Sequence, residues 1–335
     1  MTDDVALTLA EAFDLARSAL QRLGMSEQAA RALSRATVDA EAAGRPAVGF
    51  AHLADYLKAL AEGRIDGRAE PLVTAPVPAV MKCDAMGGVA QYGFEIAREE
   101  LAAKARTFGL SVFAAHNSYT TGELGWYAGR LAEDGLVALA ATNAPAMVAA
   151  AGGSGPVYGT NPLAFAAPLS DGRILLVDQA TSATAFVNIR AAAARGEPIP
   201  EGWALDEGGR PTIDPLAALK GALLAFGGAR GANIALMVEV LAAGLTGANW
   251  SLDAPDFLSG SASPGCGLFV LALAPQVLAE NFAGRLTAQA ERLSRHGVHV
   301  PGLARTEAKR QAESRGIVLP RQLFDSISSF RRNQP

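Results

Sequence analysis

Two short stretches that open predicted helices carry the polar groups best suited to binding an anion. Thr120-Thr121-Gly122 follows an apolar run, so backbone N–H groups and hydroxyls there would face a phosphate. Gly227-Gly228-Ala229-Arg230-Gly231 has a similar position and adds a guanidinium that can pair with phosphate. Each stretch alone is typical of an ordinary capped turn. Together they indicate a phosphate-bearing ligand.

Histidines and one tyrosine supply the candidate proton-transfer groups. His52 lies on a predicted helix with Tyr56 four residues later, so the two side chains share a face. We consider His52 either a carboxylate contact or proton shuttle, or a packing residue. His116 ends a predicted strand just before Tyr119, which could donate a hydrogen bond to a substrate or could pack.

The spacing of metal-binding residue types predicts no metal site. Cys83 and Cys266 are far apart and belong to no CxxC motif, so we expect two reduced, small apolar residues. His296 and His299 have no third ligand of a suitable type nearby, which argues against zinc.

The elements that must position these residues start with helices. Thr8-Leu9-Ala10-Glu11 is a capping box for a first helix, Ser26 caps a second, and a third spans 51–61. Three prolines between Glu70 and Val80 predict a linker or an edge segment. The first 65 or so residues are therefore expected to be helical.

Short apolar runs then alternate with helical patterns, which favours buried strands in an α/β sheet. The runs at 110–115 and 136–141 each follow an amphipathic helix. The runs at 163–168 and 174–177 are separated by an Asp171-Gly172 turn. That turn predicts a hairpin, so the sheet should be mixed rather than all parallel.

The rest of the chain is predicted in less detail. We expect a helix at 183–195, a Pro/Gly-rich loop at 196–215, two helices around Gly227-Gly228 and a strand at 267–272. The charged stretch from Gln276 onward is predicted to be helical and to return to the N-terminal helices.

Composition excludes several classes of protein. The net charge of −4, without a basic run, argues against nucleic acid as a partner. No segment has about 18 uninterrupted apolar residues, so a membrane span is not expected. The acidic start Met1-Thr2-Asp3-Asp4 lacks the pattern of a signal peptide. We therefore expect a soluble, cytoplasmic protein.

The usual dinucleotide fingerprint is missing. GxGxxG after a first strand would predict a Rossmann domain, but the nearest run, at 153–159, has the wrong spacing, and Pro156 and Tyr158 do not suit a helix start. Either no dinucleotide binds, or it binds to a different fold.

Five segments together resemble the malate/L-lactate dehydrogenase family of non-Rossmann fold. That family also contains ureidoglycolate and sulfolactate dehydrogenases and the Δ1-piperideine-2-carboxylate/Δ1-pyrroline-2-carboxylate reductases. The order and spacing of the segments match across most of the chain. The segments are Gly159-Thr160-Asn161-Pro162-Leu163-Ala164, Val177-Asp178-Gln179-Ala180-Thr181-Ser182, Ile199-Pro200-Glu201-Gly202-Trp203-Ala204-Leu205-Asp206, Pro211-Thr212-Ile213-Asp214-Pro215, and Gly227-Gly228-Ala229-Arg230-Gly231 with Leu236-Met237-Val238-Glu239-Val240-Leu241.

The resemblance implies a fold and an assembly. It implies an α/β protein with a mixed central sheet that binds NAD(P) in an unusual, non-Rossmann way. The expected parts are a helical N-terminal part at 1–75, an NAD(P)-binding sheet domain at 76–275, and C-terminal helices at 276–335 that pack back on the first part. It also implies a homodimer with the active site near the subunit interface.

The resemblance also implies roles for individual residues. Thr160 would contact the substrate, and Arg230 stands where the family often has lysine. Asp178 could cap a helix or contact the cofactor, and the resemblance favours the cofactor. The residues that would contact the nucleotide are Thr120, Thr121, Gly122, Glu123, Leu124, Asp178, Gln179, Ala180 and Arg230.

The chain departs from the hydroxy-acid members of the family at their proton relay. Their Ser-His-Gly triplet reads Ala47-Val48-Gly49 here, and His52 stands at the position of their carboxylate-binding arginine. The partner aspartate of the relay falls at Asn188, and a second family histidine at Thr120. The usual acid, its orienting residue and its partner are all replaced.

This loss favours an imine substrate over a ketone. Reduction of a 2-oxo acid creates an alkoxide that needs a proton, and loss of the acid costs about 10² to 10⁴ in rate. A protonated ketimine accepts hydride without that proton and needs mainly a carboxylate anchor and correct positioning. The expected reaction is NAD(P)H-dependent reduction of Δ1-pyrroline-2-carboxylate or Δ1-piperideine-2-carboxylate to L-proline or L-pipecolate, with His52, Tyr119 and Thr160 as the candidate catalytic residues.

Two alternatives remain open at this point. One is a 2-hydroxy-acid dehydrogenase for malate, lactate or sulfolactate that uses His52 or His116 as a substitute acid. The other is a catalytically inactive family member that binds a nucleotide or a partner.

Overall fold

The computed structural model describes residues 4–257 and 259–332 of the chain. Its strands are β1 Val5–Leu7, β2 Leu72–Val77, β3 Val80–Asp84, β4 Leu110–Ser118, β5 Val137–Thr142, β6 Val148–Ala149, β7 Pro156–Tyr158, β8 Leu163–Pro168, β9 Ile174–Gln179, β10 Ala204–Leu205, β11 Pro211–Thr212, β12 Ala222–Leu224, β13 Cys266–Leu273 and β14 Ile317–Leu319. Its α-helices are α1 Leu9–Arg22, α2 Glu27–Ala42, α3 Phe50–Ala61, α4 Ala90–Phe108, α5 Leu124–Glu133, α6 Phe186–Arg195, α7 Pro215–Ala218, α8 Ala229–Glu239, α9 Pro275–Leu278, α10 Phe282–Arg295, α11 Leu303–Arg315 and α12 Arg321–Arg332.

Within the described residues, the main sheet has seven strands in the order β2-β3-β4-β13-β5-β8-β9. β3 and β4 are parallel, whereas β13 is antiparallel to both of its neighbours. β8 and β9 form the predicted hairpin, with Leu163 opposite Gln179. The sheet is therefore mixed, and the predicted fold class is confirmed.

Helices cover both faces of this sheet because its central strands are apolar on both sides. On one face, α4 and α5 bury an aromatic cluster in which Phe94 meets Phe113, Trp126 and Tyr127 at centroid distances of 5.0–5.8 Å. On the other face, Val238 of α8 belongs to the same small core cluster as the sheet residues. The strand ends that carry the candidate site residues are thereby held in fixed positions.

The helical part begins at the predicted cap. Thr8 N donates to Glu11 Oε2 at 2.8 Å, and Glu11 N donates to Thr8 Oγ1 at 3.2 Å, so both bonds of the capping box are present. β1 pairs antiparallel with β14, which places Val5 opposite Leu319. α12 packs on α1 and α3 in the same core.

The two chain ends meet, but the C-terminal helices do not all go to the same place. Ala290 of α10 packs against Leu169 and Val300 beside the β8–β9 hairpin, and Leu176 N in β9 donates to Pro301 O at 3.1 Å. Thus β14 and α12 extend the helical part, whereas α10 supports the sheet. Of the helices in the described part of the chain, none has the length and apolar character to cross a membrane.

Several elements differ from their predictions. The stretch at 196–215, predicted as a loop, contains β10 and β11 of a second sheet with the order β11-β10-β12-β6-β7. β12 separates α7 from α8, where two helices were predicted. These strands have two or three residues, too short for an alternating pattern to be visible in sequence. β2 is the edge strand of the main sheet, within the stretch predicted as a linker or edge.

Candidate active site

A cavity of about 270 Å³ lies between α3 and the segments that follow β4 and β5. The residues predicted from sequence that line it are His52, Thr120, Thr121, Gly122, Thr160 and Ala180. We call His52 with residues 120–122 the His52 wall. We call the loop at 159–161, whose Thr160 lines the cavity, the Thr160 wall. Much of the remaining lining is apolar.

The His52 wall depends on how α3 begins. Phe50 N donates to Glu41 Oε2 at 2.9 Å, so a carboxyl group from α2 satisfies one of the orphan donors of the first turn. Burial raises the pKa of Glu41, and the Phe50 hydrogen bond partly offsets that effect. A Cβ at Gly49 would collide with Glu41 Oε2. Gly49 and Glu41 together fix the direction in which His52 leaves the helix.

His52 has a polar partner on each ring nitrogen. Its Nδ1 lies 3.1 Å from Asp55 Oδ2, and its Nε2 lies 3.4 Å from Thr120 Oγ1. The Tyr56 ring packs edge-on against the imidazole at a centroid distance of 4.8 Å. Asp55 was not singled out from the sequence, although its i+3 spacing from His52 was the signal that could have found it.

Buried hydrogen bonds hold the loop that completes this wall. Thr120 Oγ1 donates to the Tyr56 hydroxyl at 2.7 Å, and Gln91 Nε2 donates to the same hydroxyl at 3.2 Å and to Thr121 O at 2.9 Å. Gly122 has φ +67°, and a Cβ there would lie 3.0 Å from Gln91 Nε2. Glycine at 122 therefore allows the loop to lie close against Gln91. The helix predicted to open at this loop starts at Leu124.

The Thr160 wall is fixed by one buried carboxyl group. Glu239, which is 4 % exposed, accepts from Ser251 N at 2.6 Å, Ser251 Oγ at 2.7 Å and Asn161 Nδ2 at 2.6 Å. Gly159 N donates to Ser251 Oγ at 3.0 Å. The backbone oxygen of Thr160 accepts from Thr181 N and Thr181 Oγ1. These bonds leave the Thr160 side chain facing the cavity.

Other predicted nucleotide contacts lie behind the His52 wall. Asp178 accepts from Gly125 N at 2.9 Å, so it caps α5, and Glu123 pairs with Arg305 at 2.7 Å. Burial raises the pKa of both carboxyl groups, with Arg305 acting in the opposite direction. A second cavity of about 120 Å³ borders Glu123 and Arg305. Leu124 is buried in the sheet core.

Arg305 was missed in the sequence, because the arginine comes from α11 and meets Glu123 only through the tertiary fold. No local pattern in the sequence marks that pairing.

Tyr119 does not line the cavity. Its hydroxyl donates to Phe257 O at 2.6 Å and accepts from Arg64 Nη1 at 3.1 Å, and its side chain is fully buried. Because these partners occupy the hydroxyl, Tyr119 packs rather than pointing at a substrate. Its contact positions Phe257, which does line the cavity.

The remaining candidates also lie outside the cavity. Gln179 and Arg230 are exposed, so neither side chain takes part in the arrangement around His52. His116 Nε2 lies 3.6 Å from Asp84 Oδ2, in a separate cluster. Asn188 donates to Thr184 Oγ1 at 3.0 Å and supplies no carboxyl group.

Both cysteines are buried with free thiols. Burial raises the pKa of Cys83 and of Cys266 to about 12. Cys266 lines the cavity, but a thiol held in its neutral form is a poor nucleophile. Chemistry at this site therefore depends on His52 and on the threonine hydroxyls.

Comparisons with known proteins agree with this geometry. A family model described as malate/L-lactate dehydrogenase matches residues 7–328. A Δ1-pyrroline-2-carboxylate/Δ1-piperideine-2-carboxylate reductase of Pseudomonas putida is 37 % identical, with 97 % of both chains covered. A (2R)-3-sulfolactate dehydrogenase (NADP⁺) of Chromohalobacter salexigens is 36 % identical, again with 97 % of both chains covered.

Solved structures lead to the same group of proteins. The crystal structure of Δ1-piperideine-2-carboxylate reductase from Pseudomonas syringae pv. tomato superposes with a TM-score of 0.93 at 34 % identity, covering 97 % of this chain and 99 % of the other. The resemblance predicted from the five sequence segments is confirmed by these matches. The chain belongs to the malate/L-lactate dehydrogenase family.

Proposed function

We propose that this protein is an NAD(P)H-dependent reductase of small cyclic 2-imino acids, converting Δ1-pyrroline-2-carboxylate or Δ1-piperideine-2-carboxylate to L-proline or L-pipecolate. The observation that carries the proposal is the chemistry of the cavity lining. Among the described residues that line the cavity, none is an aspartate, glutamate, lysine or arginine. Relatives named as reductases of these two imino acids support the choice of substrate.

The reaction suits a site with few acids and bases. NAD(P)H, when bound, supplies a hydride. The hydride adds to C2 of the protonated imine while the C=N π electrons move to nitrogen, which leaves a neutral amine and requires no proton from the protein. The chain's own residues then have to hold the imino acid in place and exclude water. A largely apolar cavity with threonine hydroxyls on two walls is suited to both tasks.

The residues present fit a nicotinamide nucleotide. The loop 120–122 borders the cavity immediately before α5, so its backbone N–H groups and threonine hydroxyls are available to a phosphate at the start of a helix. We propose that residues 120–124 and 178–180 bind the nucleotide and that Thr160 contacts the substrate. Glu123, Asp178 and Arg305 would support nucleotide binding from behind the His52 wall. Arg230 and Gln179 lie at the surface and would reach the nucleotide from there.

The proposal is tested by offering substrates side by side. Purified protein with NADH or NADPH would be given both cyclic ketimines and, in parallel, pyruvate, oxaloacetate and sulfopyruvate. We expect oxidation of the cofactor with the ketimines and much slower turnover of the oxo acids. Faster turnover of an oxo acid would contradict the proposal.

A 2-hydroxy-acid dehydrogenase is the second candidate. The relative named as a sulfolactate dehydrogenase, at 36 % identity, favours it, with His52 as the acid. The same assay separates the two functions. Nucleotide binding without turnover of any of these compounds would instead support an inactive family member.

We also propose a homodimer in the cytoplasm. Leu236, Met237 and Val240 on one side of α8 and the turn after it are 48 %, 58 % and 46 % exposed. Large exposed apolar patches on a soluble protein mark protein interfaces or other interaction sites. Light scattering of the purified protein should give the mass of two chains, and Met237→Glu should reduce it to one.

A further inference from the structure

The chain that follows α8 contributes an aromatic side chain, Phe257, to the cavity. We call residues 249–257, which come after α8 and the turn beyond it, the Phe257 segment. The Phe257 side chain is partly buried. It lines the cavity and packs against the helical core that contains Tyr56 and Tyr119. Phe257 therefore forms part of the apolar cavity surface on the side of the His52 wall.

Two hydrogen-bond donors converge on the backbone oxygen of Phe257. The Tyr119 hydroxyl donates to this oxygen at 2.6 Å, and Arg64 Nη1 donates to it as well. Arg64 Nη1 also donates to the Tyr119 hydroxyl at 3.1 Å. A carbonyl oxygen has two lone pairs, so Phe257 O can accept both bonds. The three groups form a closed triangle of hydrogen bonds.

Burial makes this triangle costly to break. The Arg64 side chain is 1 % exposed, and Tyr119 is fully buried. Glu62 Oε2 accepts from Arg64 Nε at 3.1 Å and from Nη2, which pairs the charge on the other side of the guanidinium. Burial raises the pKa of Tyr119 to about 12, so its hydroxyl keeps the proton that it donates. If Phe257 O moved away, two buried donors would lose an acceptor, which is unfavourable.

The other end of the Phe257 segment is tied to the Thr160 wall. Ser251 N and Oγ donate to Glu239 at 2.6 and 2.7 Å, and Ala146 N donates to Ser251 O at 2.9 Å. Asn249 Nδ2 donates to Pro264 O at 2.9 Å. The segment is thus held at both ends, and the Phe257 ring has a fixed place between the two walls.

We infer that Phe257 determines which ring size the cavity accepts, and that Arg64 and Tyr119 are positioning residues that fix it in place. The inference rests on the proposed function for the class of substrate, because the two cyclic imino acids differ by one methylene. One methylene more or less against an apolar surface changes kcat/KM by about 10- to 200-fold. A fixed aromatic ring provides that discrimination, whereas a ring free to move aside does not.

The experiment compares two planar carboxylates that differ in size. Pyrrole-2-carboxylate and indole-2-carboxylate, which has a second, fused ring, would be titrated into the full-length protein with NAD⁺ or NADP⁺ present. In Phe257→Ala the affinity for the larger ligand relative to the smaller should rise about 10-fold or more, because the substitution makes room and removes a contact. Phe108→Ala removes an exposed phenylalanine at the end of α4 and should leave this ratio unchanged.

The same substitution should alter the choice between the two ketimines. In Phe257→Ala, kcat/KM for Δ1-piperideine-2-carboxylate relative to Δ1-pyrroline-2-carboxylate should rise about 10-fold. The change should appear mainly in the KM of the smaller ring, because Phe257 contacts the ring and takes no part in hydride transfer. Phe257→Trp enlarges the side chain and should change both ratios in the opposite direction.

Arg64 and Tyr119 are tested through the same size ratio, which a merely structural role would not change. Tyr119→Phe leaves Arg64 Nη1 on Phe257 O and should have a small effect. Combining it with Arg64→Met removes both donors, and the ratio should move toward that of Phe257→Ala. Arg64→Lys restores a donor and should return the ratio toward the parent value. Arg68→Met, at an exposed arginine four residues later, is the control.

The outcomes distinguish this inference from the proposed function. An unchanged size ratio in Phe257→Ala would overturn the inference even if ketimines are reduced. An unchanged ratio in the variant without both donors, or in Phe257→Trp if that variant does not fold, would also overturn it. Failure of the parent to bind either planar carboxylate would overturn it too, whatever the ketimine assay shows. If binding responds to Phe257 but ketimines are not reduced, the inference stands and the proposed function falls.

Discussion

The two walls of the cavity are built in different ways. The Thr160 wall is held from inside the protein by Glu239, whose oxygens accept from Ser251 and Asn161. The His52 wall is partly exposed and combines neutral hydroxyl contacts with charged groups, Asp55 beside His52 and Arg305 behind the wall. One wall therefore fixes the shape of the cavity, whereas the other presents polar and charged groups near it.

This difference predicts that mutations in the two walls separate stability from ligand binding. Removal of a buried group that satisfies several hydrogen-bonding partners lowers the free energy of unfolding, because those partners are then left buried without a hydrogen bond. An exposed ion pair contributes little to the free energy of unfolding, but it can determine which ligand binds. The predictions below test this contrast.

The largest effect is expected at the Thr160 wall. Glu239→Ala leaves Ser251 N, Ser251 Oγ and Asn161 Nδ2 without their acceptor, which should lower the free energy of unfolding by about 3–5 kcal/mol. Urea unfolding measures this loss. Glu313→Ala, an exposed glutamate on α11, should leave stability unchanged. Equal stability of the two variants would contradict the role assigned to Glu239.

The charged group behind the His52 wall should have a smaller and pH-dependent effect. Arg305→Met removes the cation beside Glu123 and Asp178 and should cost about 2–3 kcal/mol at pH 8. Burial already raises the pKa of both carboxyl groups, so each is protonated more readily in the folded than in the unfolded protein. Stability that such a group provides in its protonated form is lost as the pH rises through its folded pKa.

The loss in Arg305→Met should therefore shrink when urea unfolding is repeated at pH 5. Arg310→Met is the matched control, because Arg310 pairs with Glu307 at the surface of the same helix. A loss independent of pH would show that Arg305 acts through packing alone.

A third variant tests how closely the loop 120–122 packs against Gln91. Gly122→Ala places a side chain at φ +67° and against Gln91 Nε2, which should cost about 1–2 kcal/mol of stability and weaken NAD(P)H binding. Gly135→Ala separates strain from contact, because Gly135 also has a positive φ but has open space around its Cβ position. Quenching of protein fluorescence by the nucleotide should change in the first variant but not in the second.

The smallest change in stability is expected at Asp55. Asp55→Asn should alter the free energy of unfolding by less than about 0.5 kcal/mol, because the carboxylate is partly hydrated. In steady-state assays the KM for the ketimine should nevertheless rise, while kcat changes little. A large loss of stability with an unchanged KM would make Asp55 structural and would remove the contrast between the two walls.

Local signals in the sequence predicted much of the fold. Thr8 and Ser26 cap their helices as predicted. The Asp171-Gly172 turn correctly predicted the β8–β9 hairpin and therefore a mixed sheet. These features depend on residues close together in the chain. The strands β10 and β11 were missed because two residues cannot display a period.

The candidate site was predicted less completely, because its residues meet through distant contacts. His52, Thr120 and Thr160 were found by motif and by resemblance, and the structure brings all three to one cavity. Arg305 approaches Glu123 from the far end of the chain, and Tyr119 is held by Phe257 O and Arg64. No spacing pattern in the sequence indicates either of these contacts.

The pairing of β1 with β14 has a consequence for biosynthesis. Val5 pairs with Leu319, so a chain growing on the ribosome carries β1 unpaired until residue 319 has emerged. Leu319 and Ile327 are fully buried with residues of α1. The apolar face of α1 therefore also remains uncovered until these residues have been synthesised. We expect nascent chains arrested at residue 316 to be cleaved by protease within α1, and full-length chains to resist.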